Sequence, residues 1–500
     1  MSDFFRKHSM ITGTLLLTAA GFAVRILGFF YRIFLSRTIG AEGLGLYNLV
    51  HPLYGICFAL CAGSIQTAIS RCIAANLSRR KLFLRTGLMI SLSIAALLAM
   101  ILYAGSQFLA NQILLESRCR EFLRLMALSI PFSAIHACVN GYYYGMQRTR
   151  VPAASQITEQ LIRMGVVFLL VLFFQAEQIP ITTELAVLGH LAGEAGSCFY
   201  AALTFLIFDH TVSSPCLPLT SSTALSTLCA GRELMSMALP LMGNRLVLNL
   251  LGSAEAILIP SRLIDHGLTN KEALSVYGVL TSMALPFILF PSAITNSMAV
   301  LLLPSAARAQ AMKEQGRIST MAALSFKCSC YMGILCIGIF TRFGKKLGTM
   351  IFRSELSGSF ITVLCWLCPF MYLATTMGSI QNGLGKTGTT FLQNIVAMGI
   401  RLAFVLFAVP VFGIRGYLWG FLVSELFLAL LCCISVGRQA DFQCNMIECL
   451  LKPGFALFIS MGIDRAFCTA IPVTGSVVAI VLRMGIITAC YGMFLGMILR

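Results

Sequence analysis

Ile130-Pro131-Phe132, then Gly145-Met146-Gln147-Arg148-Thr149, then Arg163: these residues return later in the chain as Cys368-Pro369-Phe370, Gly383-Leu384-Gly385-Lys386-Thr387 and Arg401. Proline, glycine, base-threonine and arginine all recur at one spacing, 238 residues. A single register held over more than thirty residues marks an internal repeat. A second match pairs Gly189 and Glu194 with Gly420 and Glu425 at a spacing of 231. The change of register falls in a loop, where insertions are tolerated.

Composition says what kind of chain repeats itself. Of 500 residues, 58% are hydrophobic and 11% are charged, whereas a soluble domain has about 25% charged residues. The mean hydropathy is +0.86. These values exclude a soluble enzyme, a disordered chain and a secreted disulfide scaffold. They leave an all-α polytopic membrane protein, because lipid offers the backbone no hydrogen-bond partners and helices satisfy themselves. A crossing helix needs about 20 apolar residues. About fourteen segments meet that need, at 10–35, 44–70, 84–109, 121–146, 153–175, 183–208, 231–260, 274–305, 320–341, 357–384, 389–411, 414–437, 450–470 and 475–498. The first follows Arg6-Lys7-His8 and is too long for a signal-peptide core, so it reads as a retained span.

The expected layout is a six-helix N-terminal lobe (1–208), a Ser/Thr/Pro-rich cytoplasmic linker (209–230), a six-helix C-terminal lobe (231–437) and two extra helices (438–500). Six spans separate the repeat copies, so both copies cross in the same direction. Transporters built from such parallel repeats hold substrate between the lobes and alternate access by rocking them.

There are 36 Lys and Arg against 19 Asp and Glu, a net charge of +17. With the N-terminus inside, eighteen bases fall in cytoplasmic loops and twelve outside. Arg79-Arg80-Lys81 follows span two, while 175–184, after span five, has no base. The positive-inside rule then places both termini in the cytoplasm. The cluster Arg342, Lys345, Lys346 and Arg353 runs against that bias.

Six arginines remain within spans: Arg25, Arg32, Arg163, Arg245, Arg401 and Arg483. At mid-bilayer each costs about 2.5–3.5 kcal/mol on insertion scales, so they need water, a partner or an anionic ligand. Arg25 and Arg32 are seven apart and share a helix face. Arg245 lies on span seven, the counterpart of span one, and Arg163 and Arg401 are counterparts in spans five and eleven. One reading is a central cationic cavity for phosphate or pyrophosphate, with Arg25, Arg32, Arg163, Arg245 and Arg401 as binding candidates. The other is internal pairing, since Glu159 lies one helical turn before Arg163. Arg483 stands alone in its span. The intramembrane acids are Glu159, Glu194, Glu255 and Glu425. Glu255 and Glu159 are the candidates for a coupling or counter-ion role; Glu194 and Glu425, as repeat mates, read as packing residues. His51, His136 and His190 read as polar residues satisfied within packed helices.

No cofactor or metal is expected. The 19 cysteines lie mostly in apolar runs, and Cys328-x-Cys330 lacks a matching ligand cluster. The glycine-rich Gly40-Ala41-Glu42-Gly43-Leu44-Gly45 lacks the Lys-Ser/Thr ending of a phosphate loop and reads as an interhelical turn. Pro286 and Pro291 mark a bend in span eight. No catalytic constellation appears, so the chain does not read as an enzyme, and nothing suggests nucleic acid as a partner.

Gly21-Phe22-Ala23-Val24-Arg25-Ile26-Leu27-Gly28-Phe29-Phe30-Tyr31-Arg32, the Gly40–Tyr47 segment, Ile259-Pro260-Ser261-Arg262-Leu263 and Ala299-Val300-Leu301-Leu302-Leu303-Pro304 together resemble the stage V sporulation protein B family. That family belongs to the multidrug/oligosaccharidyl-lipid/polysaccharide (MOP) flippase superfamily and is related to the MurJ-type lipid II flippases. The resemblance implies fourteen helices, two lobes and a cationic cavity, with Arg25 in the cavity-arginine segment. It further implies flipping of an undecaprenyl-pyrophosphate-linked saccharide, such as a peptidoglycan precursor, across the bacterial cytoplasmic membrane. The expected partners are that lipid-linked substrate, membrane lipids and cell-wall synthesis proteins, and the expected state is a monomer. Two other functions compete. A multidrug cation exporter would want acids at its cavity, which Glu255 alone offers. A non-transporting scaffold of envelope or spore assembly would have no use for buried arginines.

Overall fold

The computed structural model describes residues 2–210, 223–440, 445, 447–470 and 477–499. Most of the expected linker therefore lies outside the described residues. The described residues form helices and turns with no strand. In chain order the main helices are α1 (Ser2–Thr38), α2 (Gly40–Ala75), α3 (Leu77–Ala104), α4 (Cys119–Gly145), α5 (Arg150–Ala176), α6 (Glu184–His210) and α7 (Thr223–Asp265). Then follow α8, in two pieces (Asn270–Leu289 and Ser292–Ala311), α9 (Gln315–Phe352), α10 (Glu355–Gly383), α11 (Thr387–Phe407), α12 (Ile414–Gly437), α13 (Lys452–Ala470) and α14 (Val477–Leu499). Among the described residues twelve helices are long and apolar enough to cross a membrane. Helices α6 and α13 stand where two further spans are expected and fall outside that set.

The chain forms two compact units, Met1–Ile257 and Leu258–Arg500, that meet inside α7. In the first unit, α2, α3, α4, α6 and the first half of α7 share a core that includes Ile65, Ile69, Phe83, Tyr142 and Leu234. Polar seams join the helices where lipid cannot reach: Ser155 and Ser197 hydroxyls are 2.7 Å apart, and Asn140 Nδ2 donates to Ser155. At the other end of α4, Arg118 is clamped by Glu116 (2.8 Å) and Glu42 (2.7 Å). These bonds, that to Glu116 first, raise the guanidinium above its ordinary value. The chain turns from α1 into α2 at Ile39 and Gly40, which has φ 71°, and the glycine-rich segment itself is the first turns of α2.

The repeated glycines have a common cause. A β-carbon at Gly145 would come 2.8 Å from Ser70 O on α2, and one at Gly383 would come 2.5 Å from Leu303 O on α8. Each glycine therefore lets a counterpart helix pair cross at backbone contact. Two residues on, Gln147 and Gly385 both adopt positive φ, 60° and 82°, and end the helix in the same left-handed turn. Gly189 and Gly420 likewise lie where α6 crosses α5 and α12 crosses α11, against Val167 and Phe404.

In the second unit, α8 opens with a Thr269/Glu272 capping box and breaks between Leu289 and Ser292, at Pro291. A π-helical turn interrupts both counterpart helices, at Ala59–Gly63 in α2 and Val279–Ala284 in α8. Helix α9 runs further than its apolar run suggests. Arg342, Lys345 and Lys346, expected in a loop, are helical because Phe343, Gly344, Leu347 and Gly348 stay buried along the other side of the same turns. Gly348 and Gly358 bring α9 and α10 to backbone contact there.

Candidate functional site

The polar site of the first unit is built on the π turn in α2. The extra residue shifts the helix so that Ser64 Oγ reaches back to Ala59 O (2.8 Å), and such turns cluster at functional sites. Gly63 ends the turn, and a β-carbon there would collide with Arg245 Nη1. Gly55, two turns earlier, faces Asn249 Oδ1 in the same way, at 3.2 Å. The space these small residues leave is a cavity of about 700 Å³. Its polar lining includes Gln66, Thr67, Arg71, Tyr144, Arg245 and Asn249, and no lining residue is a carboxylate. Arg245 Nη2 donates to Thr67 Oγ1 at 3.3 Å, and Asn249 Nδ2 donates to Arg245 O at 2.9 Å. Two guanidiniums with uncharged neighbours suit a bidentate anion such as phosphate.

Of the five binding candidates, Arg245 lines this cavity. Arg25 and Arg32 are exposed on α1. Arg163 is ion-paired with Glu159, one turn earlier on α5. Arg401 lies 3.7 Å from Glu425, and its guanidinium stands over the Phe421 ring at 4.7 Å. Glu255 is buried on α7.

Glu194 is the hub of a second polar cluster in the first unit. Tyr54 Oη donates to it at 2.9 Å, and His136 Nδ1 lies 3.1 Å away. His190 packs edge-on to Tyr54, with centroids 4.6 Å apart. It is 2% exposed, and neither ring nitrogen has a hydrogen-bond partner among the described residues. The expectation that all three histidines are satisfied within packed helices therefore does not hold for His190.

Arg483 does not stand alone. It makes a bidentate pair with Asp464, at 2.8 and 2.6 Å, and its guanidinium lies 5.0 Å from the Phe343 ring centroid. Arg342 reaches the same carboxylate at 3.8 Å. Asp464, buried in α13, is a further intramembrane acid beyond Glu159, Glu194, Glu255 and Glu425. Its place in one helical hairpin with Arg483 is the signal that would have found it. Arg71 lies one residue past the expected end of span two, at 70, and so reads from sequence as a loop base. It belongs to the last turns of α2, and only the fold reveals that this end of the helix faces a cavity. Among the described residues no group of three or more His, Cys, Asp or Glu is arranged to hold a metal.

Two helical units carrying an internal repeat and twelve helices of membrane-crossing length among the described residues define a multi-pass α-helical membrane protein. Residues 10–310 match the family model described as polysaccharide biosynthesis protein, and the chain belongs to that family. It is similar to stage V sporulation protein B of Bacillus subtilis (strain 168), 26% identical over 468 residues, 91% of this chain and 88% of the relative. In fold it resembles the lipid II flippase MurJ in an inward closed conformation, with a TM-score of 0.73 at 12% identity, over 96% of this chain and 98% of that one. It also resembles an inward-facing multidrug resistance MATE transporter of the MOP superfamily, with a TM-score of 0.64 at 14% identity, over 83% of this chain and 94% of that one. The fold is that of the MOP superfamily.

Proposed function

We propose that the chain is a flippase. It carries an undecaprenyl-pyrophosphate-linked saccharide, such as a peptidoglycan precursor, across the bacterial cytoplasmic membrane by alternating access. One observation carries this reading: the cavity beside the π turn of α2 offers Arg71 and Arg245 and no carboxylate. Guanidinium binds a phosphate oxygen pair bidentately, and Gln66, Thr67, Tyr144 and Asn249 add neutral hydrogen-bonding groups for sugar or phosphate. The polyprenyl tail stays in lipid while the head group crosses. Membership of a polysaccharide biosynthesis family and likeness to a protein named as a lipid II flippase support the substrate class. A cation exporter is disfavoured because two arginines repel a cationic drug at this cavity. Arg163 and Arg401 are assigned to holding helix pairs together, Arg25 and Arg32 to contacts made at another stage of the cycle, and both termini to the cytoplasm.

The test is leaflet transfer of a fluorescent undecaprenyl-pyrophosphate sugar in proteoliposomes. Arg71→Ala with Arg245→Ala removes two charge-assisted contacts, worth about 1.5–3 kcal/mol each. A fall in transfer of at least about tenfold is expected. Transfer at the unmodified rate by a folded double variant would overturn the cavity assignment.

A further inference from the structure

A second feature lies on the exposed surface of the first unit, at the end of α3 that carries Arg79-Arg80-Lys81. Two apolar grooves flank this end. One, of about 400 Å³, runs between α3 and α6 over Leu88, Leu92 and Phe205. The other, of about 740 Å³, runs between α3 and the first part of α7 over Ile90, Leu228 and Gly231. Arg85 and Met89 line both grooves. Gly231 leaves the second groove unfilled at this point, since a β-carbon there would project into it and come into ordinary contact with Thr86 Cγ2 at 3.5 Å and Ile90 Cδ1 at 3.7 Å.

The rim is basic. Arg85 and Arg232 are exposed, and Lys81 stands at the mouth of the first groove. No carboxylate lines either groove. The neighbouring acid, Glu233, is turned to Arg79 at 3.4 Å. A topology signal alone explains bases at this end but not paired apolar channels opening directly beneath them. Basic pockets between membrane helices suit anionic head groups, and each base near a membrane surface adds to the attraction for an anionic leaflet.

We infer that this double groove seats one anionic diacyl phospholipid of the adjoining leaflet, with its phosphate on Arg85 and Arg232 and one acyl chain in each groove. Two channels that share one guanidinium match two chains hanging from one phosphate. A single-tailed lipid would leave one channel unfilled. The bound lipid joins α3 to α6 and to the first part of α7, so lipid charge becomes a determinant of how firmly these helices hold together.

The experiment uses the purified full-length chain, with lipid retention read by native mass spectrometry and Tm read in the same detergent. Phosphatidylglycerol is expected to be retained as a single adduct and to raise Tm, and phosphatidylcholine is not. Arg85→Gln with Arg232→Gln is expected to lower retention at least fivefold. Gly231→Leu, which fills the second groove and keeps every charge, is expected to lower it as well. Arg148→Gln with Arg150→Gln, in the connection from α4 to α5, is expected to leave it unchanged. Equal retention of both lipids, or equal loss from the Arg148/Arg150 pair, would reduce the site to diffuse surface attraction. Unchanged retention in folded Gly231→Leu, or equally tight binding of lysophosphatidylglycerol, would overturn the two-chain seat.

Discussion

Glu194 and Glu425 occupy the same place in the two copies of the repeat, as do Arg163 and Arg401, yet the two units use them differently. In the second unit Arg401 and Glu425 lie 3.7 Å apart across α11 and α12, with the Phe421 ring against the guanidinium. In the first unit Arg163 has its own acid, Glu159, on the same helix. Glu194 is thereby left to Tyr54 and His136. The counterparts explain the difference. Where the first unit has His136, Glu159 and His190, the second has Ala374, Ala397 and Phe421. One skeleton thus carries a plain structural pair in one copy and a polar cluster with spare titratable groups in the other. The lesson is that the shared Arg and Glu hold helices together, and that the specialisation lies in what surrounds them.

The largest expected effect tests the plain pair. Glu425→Gln leaves the Arg401 guanidinium mostly buried without its acid. Breaking a buried pair from one side costs about 3–5 kcal/mol, and partial exposure of both side chains puts this case near the lower end. Arg401→Met with Glu425→Leu removes both charges and is expected to recover most of the loss. Thermal unfolding in detergent reads both. If the single and double variants melt together, the pair is not what joins α11 to α12.

The parts of this picture that sequence could reach were those that local rules encode. The Pro–Gly–base–Thr–Arg register was legible because helix crossings at Gly145 and Gly383 admit no β-carbon. The Glu159–Arg163 pair was legible as a one-turn spacing on a single helix. The Arg401–Glu425 and Asp464–Arg483 pairs join different helices, and spacing along the chain says nothing about which helices touch. The π turns were invisible for another reason: no residue type in Ala59–Gly63 demands one. The cavity depends on that turn. From sequence its second arginine, Arg71, lies just past the apolar run of span two and reads as a loop charge that bears only on topology.

A smaller effect is expected from the same chemical change in the first unit. Glu194→Gln removes a charge that is more deeply buried than Glu425. Arg163 keeps Glu159, however, so the loss is limited to weakened bonds from Tyr54 and His136, about 1–2 kcal/mol. Glu159→Gln added to Glu194→Gln takes from Arg163 its paired acid and the more distant charge of Glu194. The double variant is then expected to lose more than the sum of the singles, by about 1 kcal/mol. Additive losses would mean that Arg163 depends on Glu159 alone and that Glu194 serves only Tyr54 and His136, which would widen the contrast with the Arg401–Glu425 pair.

The smallest expected stability change comes from His190→Phe, which installs the residue that the second unit has at this position. The ring contact with Tyr54 survives, and two buried nitrogens without hydrogen-bond partners are removed. An unpaired buried polar group costs about 1–3 kcal/mol, while the larger phenyl ring adds some crowding. The net expectation is a Tm equal to that of the unmodified chain or slightly higher. A buried polar group without a protein partner calls for an explanation, and a working role is one; on that reading, transfer of the labelled lipid falls severalfold in the same variant. A stable His190→Phe chain that flips lipid at the full rate would strip the histidine of any working role. The contrast between the units would then reduce to two ways of filling the same space.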